Sequence, residues 1–497
     1  MYMGIDCGTQ GTKALIFDPE SGKVVGVGHA PHQIIANDQG RREQQPSWWI
    51  DAMIDAVHKA MQQAGCKPEA IRGIGCSGQQ HGLVMLDADH RVLRAAKLWN
   101  DMETAAENQA IIDRVGGNVA VARRLGTSLP VGYTASKIRW MLEHEPDTYQ
   151  KTRYVMTPHD YLNFWLTGRA VMEPGDASGT GYYKVVEKEW DLGMVDIVDP
   201  SGVLAKALPE LIESDACVGP LRPEAAEKLG LTTATLVCGG SGDNEMGAFG
   251  TGNVSMGDST LGLGTSGVMN LFSDKPLVDF NPVMQVFAAA GGGWLATTCT
   301  VNATSSTTSM QQLFGMTLDQ FSAALADSAP GADGLRIHPF FAGERMPPLP
   351  TARGTMTGMT TNNLKKENLI RATAEAVIYT LKWGYDRQLE TLPRPTLLRL
   401  TGGGSGNATW RQIIADVFDT DAIRLVHDEG GAFGAALLSM LMVLRERDGI
   451  RSTPAEICGK YVLLDEKNRI RPIRENVEKY RELYAVYDRE RKELYGE

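Results

Sequence analysis

Met1-Tyr2-Met3-Gly4-Ile5-Asp6-Cys7-Gly8-Thr9-Gln10-Gly11-Thr12-Lys13-Ala14-Leu15-Ile16-Phe17 opens the chain. Apolar residues alternate up to Asp6, the run Gly8 to Thr12 makes a turn, and Ala14 to Phe17 resume a strand before another turn at Pro19 to Gly22. The pattern predicts a β-hairpin meander. The turn carries chemistry as well. Asp6-x-Gly8-Thr9-x-x-x-Lys13 puts glycine where backbone can approach a phosphate, and Thr9 adds a hydroxyl donor. Asp6, on the strand before it, would face a Mg²⁺ ion through water. A hairpin needing glycine only for its dihedrals would read the same way.

The outline of this turn recurs as Gly262-Leu263-Gly264-Thr265-Ser266-Gly267, again followed by an apolar strand-like stretch. Two matching turns suggest a duplicated core with a ligand held between the copies. The junction is expected between Gly240 and Gly252, where glycine is dense. The corresponding division is 1–245, 246–450 and a C-terminal extension at 451–497.

Length agrees with this, since 497 residues exceed one ordinary core at about 100–200 residues per domain. Strands and helices alternate along the chain, which predicts α/β layers. Trp48, Trp49, Met53, Ile54, Val57 and Met61 have helical spacing with Ser47 as a candidate N-cap, and the strand-like Ile71 to Cys76 follows. The longest apolar run, Gly430 to Leu444, falls short of the ~20 residues of a bilayer span and reads as a buried helix. Glu475 to Glu497 is charge-rich, with Tyr480, Leu483, Tyr484 and Tyr487 at helical spacing, and reads as an amphipathic helix docked on the surface.

A formal charge of −11 argues against a nucleic-acid or anionic-membrane surface, although backbone amides can still hold a phosphate locally. Seven scattered cysteines without CxxC spacing form neither a disulfide framework nor a zinc site. With no basic segment leading into an apolar one at the start, a reducing cytoplasm is the expected compartment. The nine histidines show no HxH or HExxH pairing, and neither a Walker loop, a Rossmann fingerprint nor a GxSxG elbow occurs.

Three further stretches could carry a site. Thr401-Gly402-Gly403-Gly404-Ser405-Gly406-Asn407 follows the strand-like Leu397 to Leu400 and precedes a helical Ala408 to Ala415, which makes an anion or nucleotide seat. Gly239-Gly240-Ser241-Gly242-Asp243-Asn244 ends a strand with one carboxylate among small residues. Asp243 is there either a general base for phosphoryl transfer or the cap of a helix near Glu245. Gly78-Gln79-Gln80-His81-Gly82 and Leu98-Trp99-Asn100-Asp101 cluster hydrogen-bonding side chains beside an aromatic, as a polyol site requires. A plain turn at His81 and an N-cap at Asp101 are the simpler readings of those two.

These turns, in this order, resemble the FGGY family of carbohydrate kinases from Asp6 to about Leu444. One family signature is legible at Gly132-Tyr133-Thr134-Ala135-Ser136-Lys137-Ile138-Arg139-Trp140-Met141-Leu142-Glu143-His144. The other is legible at Gly354-Thr355-Met356-Thr357-Gly358-Met359 and then Asn368 to Glu375, with Ala374 where a larger apolar residue is usual. Glu43 to Trp49, Gly78 to Gly82, Leu98 to Asp101 and Phe341 to Arg345 resemble the subgroup acting on xylulose. Many members of that subgroup have Met where this chain has Gln80.

The resemblance implies two ribonuclease-H-like, actin-like ATPase domains flanking a central cleft, with ATP and Mg²⁺ as cofactors. It implies Asp243 as catalytic base, Asp6 and Asp243 at the metal through water, and Gly8, Thr9, Lys13, Gly264, Thr265, Gly403, Gly404 and Asn407 at the nucleotide. Gln80, His81, Asp101, Asp243 and Asn244 would face the sugar, and a homodimer is the expected assembly. The expected reaction is phosphorylation of a ketopentose, D-xylulose first. The alternatives are ribulose or another polyol, or an actin-like or chaperone-like ATPase switch that takes no sugar.

Overall fold

In the computed structural model, which describes residues 1–427 and 430–496, the opening hairpin is the middle of a sheet. Tyr2–Cys7 pairs antiparallel with Gly11–Asp18, and Lys23–Pro31 continues the meander. On its other side Tyr2–Cys7 runs parallel to Gly73–Gly78, which runs parallel to Leu236–Cys238 and, further along, to Ser241–Gly242. Cys217–Pro220 closes the edge. The strand Gly73–Gly78 is buried along its whole length, as a central parallel strand must be.

A second sheet repeats this connectivity. Ser259–Leu263 pairs antiparallel with Gly267–Ser273, which pairs with Trp294–Thr300, and Gln285–Ala288 ends the row. On the other side Ser259–Leu263 is parallel to Leu397–Thr401, which is parallel to Asp421–Arg424. Both sheets thus set two parallel strands beside an antiparallel row, a three-strand meander in the first and four strands in the second, where Gln285–Ala288 precedes Trp294–Thr300 in the chain but lies outside it. The two Gly-Thr-x-Gly turns join equivalent strands in each, so the echo in the sequence is an echo in topology.

Helices cover the sheets with few departures from expectation. Pro46–Ala64 lays Trp49, Met53, Ala56, Val57 and Ala60 on the first sheet. It begins one residue before Ser47, with Pro46 in the first turn and no side-chain cap, because proline's fixed φ already suits that position. The apolar run is the buried helix Gly430–Asp448, and no helix among the described residues is long and apolar enough to cross a membrane.

That helix lies in the second part of the chain but packs on the first sheet, against Tyr2–Cys7 and Gly73–Gly78, and against Asp243–Gly250. Close approach demands glycine here. A Cβ on Gly434 would sit 2.1 Å from the Met246 carbonyl oxygen. The two helices that link the halves therefore cross almost backbone to backbone.

The C-terminal helix Arg474–Tyr495 docks as the tyrosine spacing predicts, while Glu497 lies outside the described residues. Tyr480 donates to Glu375 at 2.8 Å and accepts from Arg371 at 2.6 Å. Tyr487 stacks on His338 with ring centroids 4.4 Å apart. The second family signature thus serves in part to seat this helix through Arg371 and Glu375. The carbonyl of Ala374, in the same signature, accepts from the Trp410 indole at 3.1 Å.

Candidate active site

Register brings the first-sheet candidates together. Cys7 and Gly78 are partners across the sheet, and Gly78 partners Gly242, so Asp6, Gln80 and Asp243 stand at neighbouring strand ends. Ligands of open α/β sheets bind at this edge, beyond the carboxyl ends of the parallel strands. On the second sheet Gly262 partners Thr401, so Gly264 and Thr265 leave beside the cluster Gly402 to Asn407.

Asp243 is the first residue of the helix Asp243–Gly250, with Gly242 at the N-cap, so it does not cap from outside the helix. Its carboxyl is pushed up to about 7, first by burial, then by the charges of Asp6 and Asp176. Asp176 belongs to a buried group in which its Oδ2 accepts from Thr157 at 2.6 Å and lies 3.0 Å from His159 Nδ1. Asp6 accepts from Ser77 Oγ at 2.7 Å through Oδ1. Asp6 and Asp243 are hard oxygen donors whose mutual repulsion raises a pKa, and a divalent cation between them would relieve it.

A cavity of about 200 Å³ opens in front of Asp243. Gln80, His81, Trp99, Tyr133 and Asn244 line it from the first part of the chain, and Ser266, Gln285, Thr297, Cys299 and Arg345 from the second. Gln80 is 2% exposed, its Oε1 accepts from Asn244 Nδ2 at 2.8 Å, and its Nε2 has no partner. An amide fixed in this way offers the cavity a donor. His81 sits at φ 64° in a tight turn closed by the Gly82 amide on the Gln80 carbonyl, and its ring stacks on Tyr133 at 4.3 Å. Burial and the nearby Lys137 charge hold His81 well below the usual imidazole pKa, hence neutral. Its Nδ1 lies 3.0 Å from the Gly179 carbonyl and so carries the proton, leaving Nε2 as an acceptor.

Other candidates are engaged elsewhere. Asp101 is fully buried and accepts from the backbone amides of Arg42 at 2.9 Å and Glu103 at 3.1 Å, with Lys97 Nζ at 3.3 Å. Lys97 itself fills the space between Glu43, Asp101 and Glu103. Asp101 is therefore neither a cavity-lining residue nor the N-cap of the next helix, which begins at Ala105 behind Thr104. The Thr9 hydroxyl gives its one hydrogen to Gln79 Oε1 at 3.2 Å, so a phosphate would meet the backbone of this turn rather than that O–H. Lys13 partners Asp6 across the hairpin. Asn407 caps the helix Ala408–Phe418, accepting from the Trp410 amide at 2.9 Å. Gly264, Thr265 and Gly403 are exposed and Gly404 is buried.

Trp99, the aromatic that the sequence sets beside a polyol cluster, lines the cavity, and so do Tyr133 and Arg345, to which sequence reasoning gives no role. Tyr133 lies in the first family signature, where Lys137 donates to the Gly132 and Tyr133 carbonyls and pins the turn. Gly132 has φ 100°, and a Cβ there would meet the Trp99 carbonyl oxygen at 2.1 Å, so only glycine lets the turn approach Trp99. Arg345 follows Glu344, whose carboxylate ties down the amide of Val301 at 2.6 Å and the side chain of Asn302 at 3.0 Å.

Comparison with known proteins agrees with this architecture. Residues 1–250 match the N-terminal domain and residues 247–443 the C-terminal domain of the FGGY family of carbohydrate kinases. A xylulose kinase of Haemophilus influenzae is 41% identical over the full length of both chains. One from Bacillus subtilis is 32% identical, covering 98% of this chain and 95% of its own. Among solved structures, a xyloylose kinase from Brucella ovis superposes with a TM-score of 0.89 at 28% identity over 99% of each chain. The paired sheets are the actin-like ATPase fold of these enzymes, and the chain belongs to the FGGY family of carbohydrate kinases.

Proposed function

We propose that this carbohydrate kinase transfers the γ-phosphoryl group of ATP to the C5 hydroxyl of D-xylulose, giving D-xylulose 5-phosphate and ADP. The observation that carries this is the cavity in front of Asp243. It presents a base, a fixed donor at Gln80 and a fixed acceptor at His81 within reach of a small polyol. The relatives named as xylulose kinases, matched over nearly the whole chain, support the ketose as substrate.

Asp243 takes the proton of the C5 hydroxyl as that oxygen attacks the γ-phosphorus, and the bond to the bridging oxygen of ADP breaks. Gln80 Nε2 donates to a sugar oxygen, His81 Nε2 accepts from a hydroxyl, and Asn244 holds the Gln80 amide in that sense. Asp6 and Asp243 would hold Mg²⁺ through water, and the ion supplies charge neutralisation of the phosphates. Backbone around Gly8, Thr9, Gly264 and Thr265 meets the phosphates, with Lys13 nearby, while Gly403, Gly404 and Asn407 border the nucleoside end. Closure of the two halves excludes water.

The proposed compartment is the cytoplasm, in keeping with seven free thiols. Phosphorus NMR of the sugar product tests the reaction. The proposal expects one phosphomonoester on C5 and is contradicted by phosphate on another carbon or by inorganic phosphate alone.

A further inference from the structure

We infer that Trp99 is a positioning residue through which an occupied sugar cavity holds the phosphate turn, directing the γ-phosphoryl group to sugar rather than water. The inference rests on the sugar-kinase reading above and adds a device to it.

The Trp99 indole forms part of the cavity wall and donates through Nε1 to Thr9 Oγ1 at 2.9 Å. Thr9 passes its own hydroxyl hydrogen to Gln79 Oε1 at 3.2 Å, and Gln79 Nε2 donates to Gln44 Oε1 at 2.9 Å. Gln44 Nε2 returns to the Thr9 carbonyl at 2.8 Å, which closes the ring, and the Trp49 indole donates to Gln44 Oε1 at 2.8 Å. Gln44 and Gln79 are fully buried. Thr9, itself half-buried, is therefore held by side chain and carbonyl in a network whose inner bonds, at Gln44, Gln79 and Trp49, are shielded from water and strengthen their neighbours.

Of these five residues, Trp99 is the one lining the cavity among the described residues. From the opposite wall the Arg345 guanidinium stands 6.0 Å from the centre of the Trp99 ring, at the edge of cation–π range. A sugar lying on the ring and Arg345 beside it limit the tilt of the indole. The indole N–H in turn fixes Thr9 and the backbone of the turn that meets the phosphate. With the indole N–H gone, the turn loses one of its restraints and water competes as acceptor. Water then attacks the γ-phosphorus, the bond to ADP breaks, and ADP, inorganic phosphate and a proton are released.

The test uses the full-length chain with Mg·ATP and D-xylulose, measuring ADP and sugar phosphate separately. The variants are Trp99→Phe, which keeps a ring and removes the N–H, Thr9→Val, Thr9→Ser and the Phe/Val double variant, each checked for unchanged thermal unfolding. Wild type should form the two products in nearly equal amounts. Trp99→Phe and Thr9→Val should each lower sugar-phosphate turnover about tenfold and raise the ADP excess. The double variant should be no worse than either single one, and Thr9→Ser, which keeps the hydroxyl, should recover most of the sugar-phosphate turnover and product ratio that Thr9→Val loses. Trp99→Phe with a raised sugar KM and a wild-type product ratio would overturn the inference, as would additive losses in the double variant. Should Trp99→Phe fail to fold, Thr9→Val against Thr9→Ser decides by the same ratio. A wild type that phosphorylates no sugar would instead refute the underlying reading.

Discussion

Asn244 Nδ2 donates to Gln80 Oε1 at 2.8 Å, so the residue after the proposed base fixes the amide of the residue before His81. Base and sugar contact are thereby one assembly. Gln80→Met removes the only donor this side chain can turn to the cavity. The expected result is a sugar KM raised by about 10-fold or more with a smaller change in kcat, because the lost contact serves ground and transition states alike. Steady-state kinetics on the ketose check it, and an unchanged KM would show that Gln80 Nε2 does not meet the sugar.

The Asp243 carboxyl, pushed up to about 7, must be ionised to accept a proton. The ionised form is lost as pH falls through that value. With Mg·ATP bound the cation offsets part of that rise, so the kcat/KM for the sugar should level off at high pH and fall about tenfold per pH unit below an inflection between the ordinary carboxylate value and about 7. Asp243→Asn should lower turnover by about 10²–10⁴ and flatten that limb. It should also raise the melting temperature above neutral pH, since a buried carboxylate held above its unfolded pKa destabilises the fold once ionised. A pH profile that persists in the Asn variant would move the base elsewhere.

Lys97 is buried among Glu43, Asp101 and Glu103. Lys97→Met leaves three carboxylates facing one another and should cost about 3–5 kcal/mol of stability. Asp101→Asn should likewise show mainly as a loss of stability, with sugar KM little changed. Denaturant unfolding run beside kinetics separates the two effects. A stable Asp101→Asn enzyme with a high sugar KM would return Asp101 to the sugar.

Gly434→Ala places a methyl 2.1 Å from the Met246 carbonyl oxygen at the helix crossing. Overpacking of this kind costs about 1–3 kcal/mol, and it should fall on a junction the two halves share. Calorimetry is expected to show a lower Tm. An unchanged Tm would mean the crossing relaxes freely.

Much of this architecture is written in local pattern. Alternation and glycine spacing at Met1 to Phe17 and Gly262 to Gly267 give the hairpin that begins each sheet, because a tight turn between buried strands leaves few other arrangements. Contacts distant in sequence are less legible. Most of Gly430–Asp448 lies within the second family domain by sequence yet the helix covers the first sheet, where Gly4 and Gly75 let the Ala432 and Ala435 carbonyls approach and Tyr2, Leu15 and Phe17 pack against its apolar residues. Thr9 looked like a free donor because its partners, Gln79 and Trp99, are separated from it by about 70 and 90 residues. Tyr133 and Arg345 were visible as motif members, but what faces the cavity depends on how a second segment folds over it. Asp101 shows the converse, a polar residue beside the right aromatic whose oxygens are taken by Lys97 and two backbone amides.

The most direct test of the account is ADP release with Mg·ATP, comparing D-xylulose, D-ribulose, L-ribulose, L-xylulose and glycerol with a control lacking sugar. Strong stimulation by D-xylulose above the others is the expected result. Stimulation by another sugar alone would contradict the substrate assigned here, and ADP release indifferent to every sugar would contradict the account as a whole.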